Sequence, residues 1–201
     1  MGYSRFYRCD LQVHTPADND HRYGEVGGRE PNARFAETLV VAHRNAGVEV
    51  VVVTDHNRID WYPVLREAGD SAGLYVFPGL EFSVNGCHLI AIWDRTDEGY
   101  ELAKRFLGGL WKPGEKRFKA TGEARPVTRA GVLELADDAF QHGALIVAPH
   151  ATAKGMGIFA SKVCSNSSEV AQSGKIVGFD VCGNTGADVL VNPRSEFGDV
   201  P

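Results

Sequence analysis

The sequence predicts an α/β fold with buried parallel strands, and three observations carry that prediction. Val50, Val51, Val52 and Val53 form a β-branched run without alternation, as a strand covered on both faces requires. Segments of helical periodicity alternate with such apolar runs along the chain. The apolar runs stop at polar residues, and in parallel α/β architectures the carboxyl ends of strands open onto the active-site face.

The central run stops at Thr54-Asp55-His56-Asn57, which delivers a carboxylate and an imidazole to that face. Upstream, Tyr7 to His14 reads as a first strand. Side chains two apart share a face, so Asp10, Gln12 and His14 are expected on one side and Leu11 and Val13 on the other. Thr15-Pro16-Ala17-Asp18 ends that strand, and the polar, glycine-rich stretch to Asn32 is a surface loop holding Asp20 and His21.

Phe35, Leu39, Ala42 and Ala46 give Arg34 to Ala46 a helical period, with Gly47 as its C-cap. Trp61 to Ala72 repeats the pattern and Gly73 stops it. Leu74 to Phe77 is a third strand, broken by Pro78-Gly79, with Glu81 just beyond. His88 to Trp93 is a fourth. Cys87 and His88 fall on opposite faces of it, so they do not share a metal and His88 is the one kept.

Glu98 to Leu107 is a helix, and Arg129 to His142 is the clearest amphipathic one, with Thr128 as candidate N-cap. His142 closes that helix and is read as a helix-end residue. Leu145 to Ala148 is a buried strand ending in Pro149-His150, and Ile176 to Val181 is the last. Between Gly109 and Pro126 a loop carries Lys112, Lys116, Arg117, Lys119 and Arg125. Its plain reading is a solvated excursion; its sharper reading is a basic flap in which Lys116, Arg117 and Lys119 meet a substrate phosphate.

The bounds agree with this picture. A chain of 201 residues with 43% hydrophobic content suits one domain, spanning 1–201. A formal charge of −5 argues against a general nucleic-acid coat while leaving room for a local basic patch. Cys9, Cys87, Cys164 and Cys182 form no CxxC pair, so reduced thiols are expected. Without an apolar run of membrane-spanning length or a signal-peptide core at the start, a cytoplasmic location is expected.

Strand ends thus deliver His14, then Asp55-His56, then Glu81 and His88, then His150. Neutral imidazoles and carboxylates are natural ligands for zinc, manganese or iron, and several sites sharing one carboxylate make a cluster.

Four stretches in order, Asp10-Leu11-Gln12-Val13-His14-Thr15, Thr54-Asp55-His56-Asn57, Pro78-Gly79-Leu80-Glu81 with His88, and Ala148-Pro149-His150, resemble the PHP (polymerase and histidinol phosphatase) superfamily of metal-dependent phosphoesterases. The opening further resembles the PHP domain at the front of certain AAA-like ATPases. The resemblance implies a distorted (β/α)7 barrel with one to three divalent ions at the carboxyl end of its strands. It implies that Glu81 bridges two ions, with His88 and His150 completing one, His14 holding the second and His56 belonging to a third. Asp55 would orient the ligands, and Asp55 or His56 would assist proton transfer. The implied chemistry is phosphoester hydrolysis by metal-activated water, on a nucleotide, a nucleic-acid end or a small phosphomonoester.

The chain departs from the family pattern at three places. Gln12 stands where the first motif normally has a histidine, and a neutral amide is a poorer ligand. Asp20 or His21 is offered where the family has a later histidine. No histidine follows His150, so the closing Asp-x-His motif is absent and a barrel truncated at its C-terminal end is expected. Exposed barrel edges would call for cover by an ATPase partner or by self-association. Two rival readings stand beside the phosphoesterase: a catalytically degenerate metal-binding or interaction module, and a barrel metallohydrolase acting on carbon-nitrogen bonds.

Overall fold

A computed structural model describes residues 6–18, 30–159, 170 and 172–180. Six strands form one sheet in sequence order: β1 (Cys9–Val13), β2 (Val50–Val53), β3 (Tyr75–Val84), β4 (Cys87–Ile92), β5 (Leu145–Ala148) and β6 (Ile176–Phe179). Four helices among the described residues accompany it: α1 (Ala33–Asn45), α2 (Tyr62–Ala72), α3 (Asp97–Gly109) and α4 (Val132–Gln141). Val181, the expected end of the last strand, lies outside the described residues, as do Asp20 and His21. No helix among the described residues is long and apolar enough to cross a membrane.

The first half follows the expected parallel design. β1 pairs with β2 and β2 with β3, all parallel, with α1 and α2 as the crossovers. Val51, Val52 and Val53 are buried, and Ala36 and Leu39 of α1, Leu65 of α2 and Trp61 at the N-cap of α2 pack against this half as one core. Asn32 caps α1 through its side chain, which accepts from the Phe35 N–H.

The expectation fails at β3. Pro78-Gly79 does not break this strand, which runs unbroken for 10 residues. Pro78 sits where the strand exchanges neighbours: Val53 pairs with Pro78, and the antiparallel register with β4 begins at Gly79 opposite Ile92. Gly79 is required by close approach, since a Cβ there would stand 2.5 Å from a Val52 methyl carbon and 2.8 Å from the Val53 carbonyl oxygen.

β3 then folds back on β4 through Asn85-Gly86, both at positive φ (49° and 74°), as a two-residue hairpin of the I′ kind demands. β4 is therefore antiparallel to both its neighbours, and only β5–β6 returns to parallel pairing. The sheet is mixed where a regular parallel barrel was expected, and β1 and β6 do not pair with each other among the described residues. α3 and α4 cover the second half over Phe82, Leu89, Phe106 and Leu135. Its concave side is an open trough of about 810 Å3, lined by Val52, Phe77, Ile90, Val147 and Phe179 and reaching Gln12 at one end.

Two local expectations also change. α4 begins at Val132 with Gly131 as N-cap: the Val127 N–H donates to the Ser83 carbonyl, and the chain bends at Arg129 and Ala130 before the helix starts. In β1 the register shifts between Asp10 and Val13, which breaks simple alternation. Asp10 turns to His43 of α1 (3.4 Å) and leaves Gln12 and His14 to the site.

The close approach at Gly79 yields a stability prediction. Gly79→Ala should cost about 1–3 kcal/mol in urea unfolding, because β2 must shift to admit the methyl group. An unchanged midpoint would mean that β2 and β3 are not held so closely.

Candidate metal centre

The polar ends of β1, β2 and β5 meet the middle of β3 and the start of β4 around one side chain, Glu81. Its side chain is fully buried. Gln12 donates from Nε2 to Oε2 at 2.8 Å, and His14 Nε2 lies 3.3 Å from the same oxygen. On the other oxygen, Oε1, His88 Nδ1 stands at 2.6 Å, His56 Nε2 at 3.4 Å and His150 Nε2 at 3.6 Å.

Strand geometry produces this convergence. Ser83 pairs with His88 and Glu81 with Ile90, so His88 is the diagonal neighbour of Glu81 on one sheet face. His56 is bridged to Glu81 through the backbone, and the Asn57 N–H donates to the Glu81 carbonyl oxygen at 3.0 Å. Consecutive rings lie 5.0–5.2 Å apart, from His14 to His56, then His88, then His150.

A second carboxylate, Asp18, enters from the turn after β1. The Asp18 N–H donates to the Thr15 carbonyl oxygen, which closes the turn and brings the side chain back beside His14. Asp18 Oδ2 then lies 2.9 Å from His14 Nδ1 and 2.6 Å from His56 Nδ1. Sequence reasoning passed over Asp18 in favour of Asp20 and His21. The missed signal was its position four residues after His14 in a proline-containing turn, which puts a carboxylate under the imidazole.

Asp55 has a different place from the rest. Its buried carboxylate accepts two short bonds from Thr15, one from the backbone N–H and one from the hydroxyl, both 2.6 Å. With both oxygens so engaged, it anchors the strand end that carries His14. The backbone of His150 has φ 35°, a strained value for a side-chain-bearing residue, and its N–H donates to Asp180 Oδ2 at 3.0 Å. Cys87 faces the core, opposite to His88. His142 ends α4, and its carbonyl oxygen accepts from Trp93 Nε1.

The electrostatics point to a cation site. Burial opposes ionisation of Glu81 and Asp18, but hydrogen bonds from the surrounding imidazoles outweigh it and hold both carboxyls well below their ordinary range. Burial likewise disfavours charge on His14 and His56. The hydrogen bonds and charges of Asp18 and Glu81 prevail and raise His14 to about 9 and His56 to about 10.

Two buried carboxylates therefore draw positive charge onto their neighbours, and divalent ions could take the place of those protons. Two donor groups have suitable spacing: His14, Asp18 and His56, and His56, Glu81 and His88, with donor atoms in each within 4.8 Å of one another. His150 Nδ1 is buried without a hydrogen-bond partner. Mixed imidazole and carboxylate donors fit zinc, manganese or iron. Gln12 occupies a position beside Glu81 with an amide, so it donates where a ligand histidine would accept a metal.

The basic loop is built rather than loose in its hydrogen bonding. Phe118 and Ala124 are bridged, and the Arg125 N–H donates to the Arg117 carbonyl oxygen. Lys119 pairs with Glu123, while Lys116 and Arg117 stand exposed.

No family model and no curated protein matches the chain. Solved structures do. One is a Bifidobacterium adolescentis protein assigned to the metal-dependent phosphoesterases, at a TM-score of 0.59 and 14% identity, covering 95% of this chain and 84% of that one. Another is a two-domain Bacteroides vulgatus protein containing a predicted PHP-like metal-dependent phosphoesterase, at a TM-score of 0.53 and 13% identity. It is covered over 43% of its length, against 86% of this chain. An amidohydrolase from Chromobacterium violaceum aligns more weakly, at a TM-score of 0.47 and 10% identity, over 87% of this chain and 86% of that one. The chain has a PHP-type fold, represented here by a curled, partial barrel.

The Thr15–Asp55 pair gives a prediction with a definite sign. Burial pushes Asp55 up to about 6 against the hydrogen bonds of Thr15, so the carboxyl is ionised in the fold only above that pH. Removing the hydroxyl hurts the ionised form most. Thr15→Val should cost about 1–3 kcal/mol above pH 6 and less as the pH falls through 6. A cost independent of pH would separate Thr15 from the Asp55 carboxylate.

Proposed function

We propose that the chain is a metal-dependent phosphoesterase whose centre is built by His14, Asp18, His56, Glu81, His88 and His150. The observation that supports this reading most is the buried Glu81 carboxylate, approached by four imidazoles at the strand-end rim of a PHP-type sheet. Glu81 would bridge neighbouring positions through its two oxygens, with His88 and His150 on one side. His14, Asp18 and His56 would serve the other. Bound ions, of manganese, zinc or iron, supply positive charge to the phosphoryl oxygens and acidify water.

The chain's own residues do the rest. Thr15 and Asp55 fix the end of β1, so His14 meets its position without a side-chain search. Asp180 holds the His150 backbone in its strained turn. Gln12 donates to Glu81 Oε2 and orients that carboxylate while adding no charge. His56 is held by Asp18 through Nδ1 and faces Glu81 through Nε2, which suits a ligand and leaves neither ring nitrogen for proton transfer.

A second reading, a metal-binding module without turnover that serves a larger ATPase assembly, is favoured by Gln12, an amide where a ligand histidine is expected. It keeps the ions and lacks hydrolysis.

The test is hydrolysis of an aryl phosphate with added manganese or zinc. Turnover that requires the metal and is lost to a chelator is expected. His150→Ala should lose most bound metal and more than the roughly 10–100-fold in rate that partners one layer further out cost. Metal content and rate equal to wild type in that variant would remove His150 from the centre, and retained metal with no turnover in the wild type would favour the second reading.

A further inference from the structure

The hairpin formed around residues 116–125 is joined to the metal centre by one side chain. Asn57, next to His56 and at φ 57°, donates from Nδ2 to the carbonyl oxygens of both Arg117 (3.1 Å) and Arg125 (2.9 Å). Its base is fastened again where the Val127 N–H donates to the Ser83 carbonyl oxygen, two residues along β3 from Glu81. A built hairpin thus leaves the rim of the centre from a buried amide clamp.

In a chain of net charge −5, this hairpin carries Lys116, Arg117, Lys119 and Arg125 against the single carboxylate Glu123. Glu123 is taken by Lys119 at 2.6 Å, and Lys116, Arg117 and Arg125 are exposed without an ion-pair partner among the described residues. The cations do not share one pocket. Lys116, Lys119 and Arg125 line a cleft of about 780 Å3 with Trp111 and Glu115, whereas Arg117 and Lys104 line another of about 630 Å3 with Asn57, Phe118 and the Arg58–Asp60 ion pair. The Arg58 guanidinium lies over the Phe118 ring at 5.9 Å.

The positive charge is spread over two clefts rather than gathered in one. That spread suits a chain of phosphates laid across the hairpin, with Trp111 and Phe118 lining the two clefts. We infer that the 116–125 hairpin is a binding surface for the backbone of a single-stranded nucleic acid, guiding it toward the centre at Glu81. This rests on the phosphoesterase reading for the chemistry at the end of the strand, but the surface itself binds without metal.

The experiment measures anisotropy of an end-labelled single-stranded oligonucleotide titrated with metal-free full-length protein across a salt series. Wild type should bind with affinity that falls as salt rises. The variant Lys116→Ala/Arg117→Ala/Arg125→Ala removes only exposed side chains and keeps the backbone acceptors of Asn57, and its fold is checked by circular dichroism. Its Kd should rise at least about tenfold, and its salt slope should shrink by about 2, as expected for three lost phosphate contacts on a single strand.

Absence of binding by wild type at low salt, equal binding by the variant, or equal competition by polyglutamate would overturn the proposal. Aryl phosphate hydrolysis by the wild type separates the two readings. Hydrolysis without oligonucleotide binding removes the surface and leaves the phosphoesterase. Binding through the hairpin without hydrolysis does the reverse.

Discussion

A carboxylate without solvent access is the constraint around which this molecule is arranged. Ionised Glu81 cannot be buried alone, since an unpaired charge in a protein interior costs several kcal/mol. Each neighbouring element supplies an offset: Gln12 and His14 from β1, His56 from β2, His88 from β4 and His150 after β5. The imidazoles are raised by the same carboxylates they surround, and this mutual dependence makes the site receptive to divalent ions.

The irregular features of the fold serve that arrangement. The exchange of neighbours at Pro78 lets one strand belong to a parallel half and an antiparallel half, so Glu81 sits between candidate ligands from both. The tight Asn85-Gly86 turn returns the chain quickly enough for His88 to reach its diagonal partner. The register shift in β1 sends Asp10 to α1 and keeps Gln12 and His14 at Glu81. Asn57, one residue beyond a candidate ligand, carries the same order outward into the basic hairpin.

Much of this was legible in residue types. The valine run, its polar end and the histidines at strand ends announce a site before any coordinates, because a buried strand cannot accommodate Asp55 and His56 in its core. Strand direction was not legible: Pro78-Gly79 reads locally as a break, and only the tertiary exchange of partners makes it continuous. Thr128 satisfies the cap rule, yet the chain bends after it and the helix starts only at Val132. Asp18 was hidden because a turn residue acquires its role only when the turn closes beneath His14. The amide clamp of Asn57 lies beyond sequence reading altogether, since it joins segments some 60 residues apart.

Whether Glu81 is held for the sake of bound ions is decided by elemental analysis of purified wild-type and Glu81→Gln proteins after equilibration with manganese or zinc. The wild type should retain on the order of two ions per chain, as a clamp with a shared carboxylate holds. The isosteric amide removes the charge while preserving volume, so Glu81→Gln should remain folded and lose nearly all of that metal. A folded Glu81→Gln protein with wild-type metal content would contradict the account.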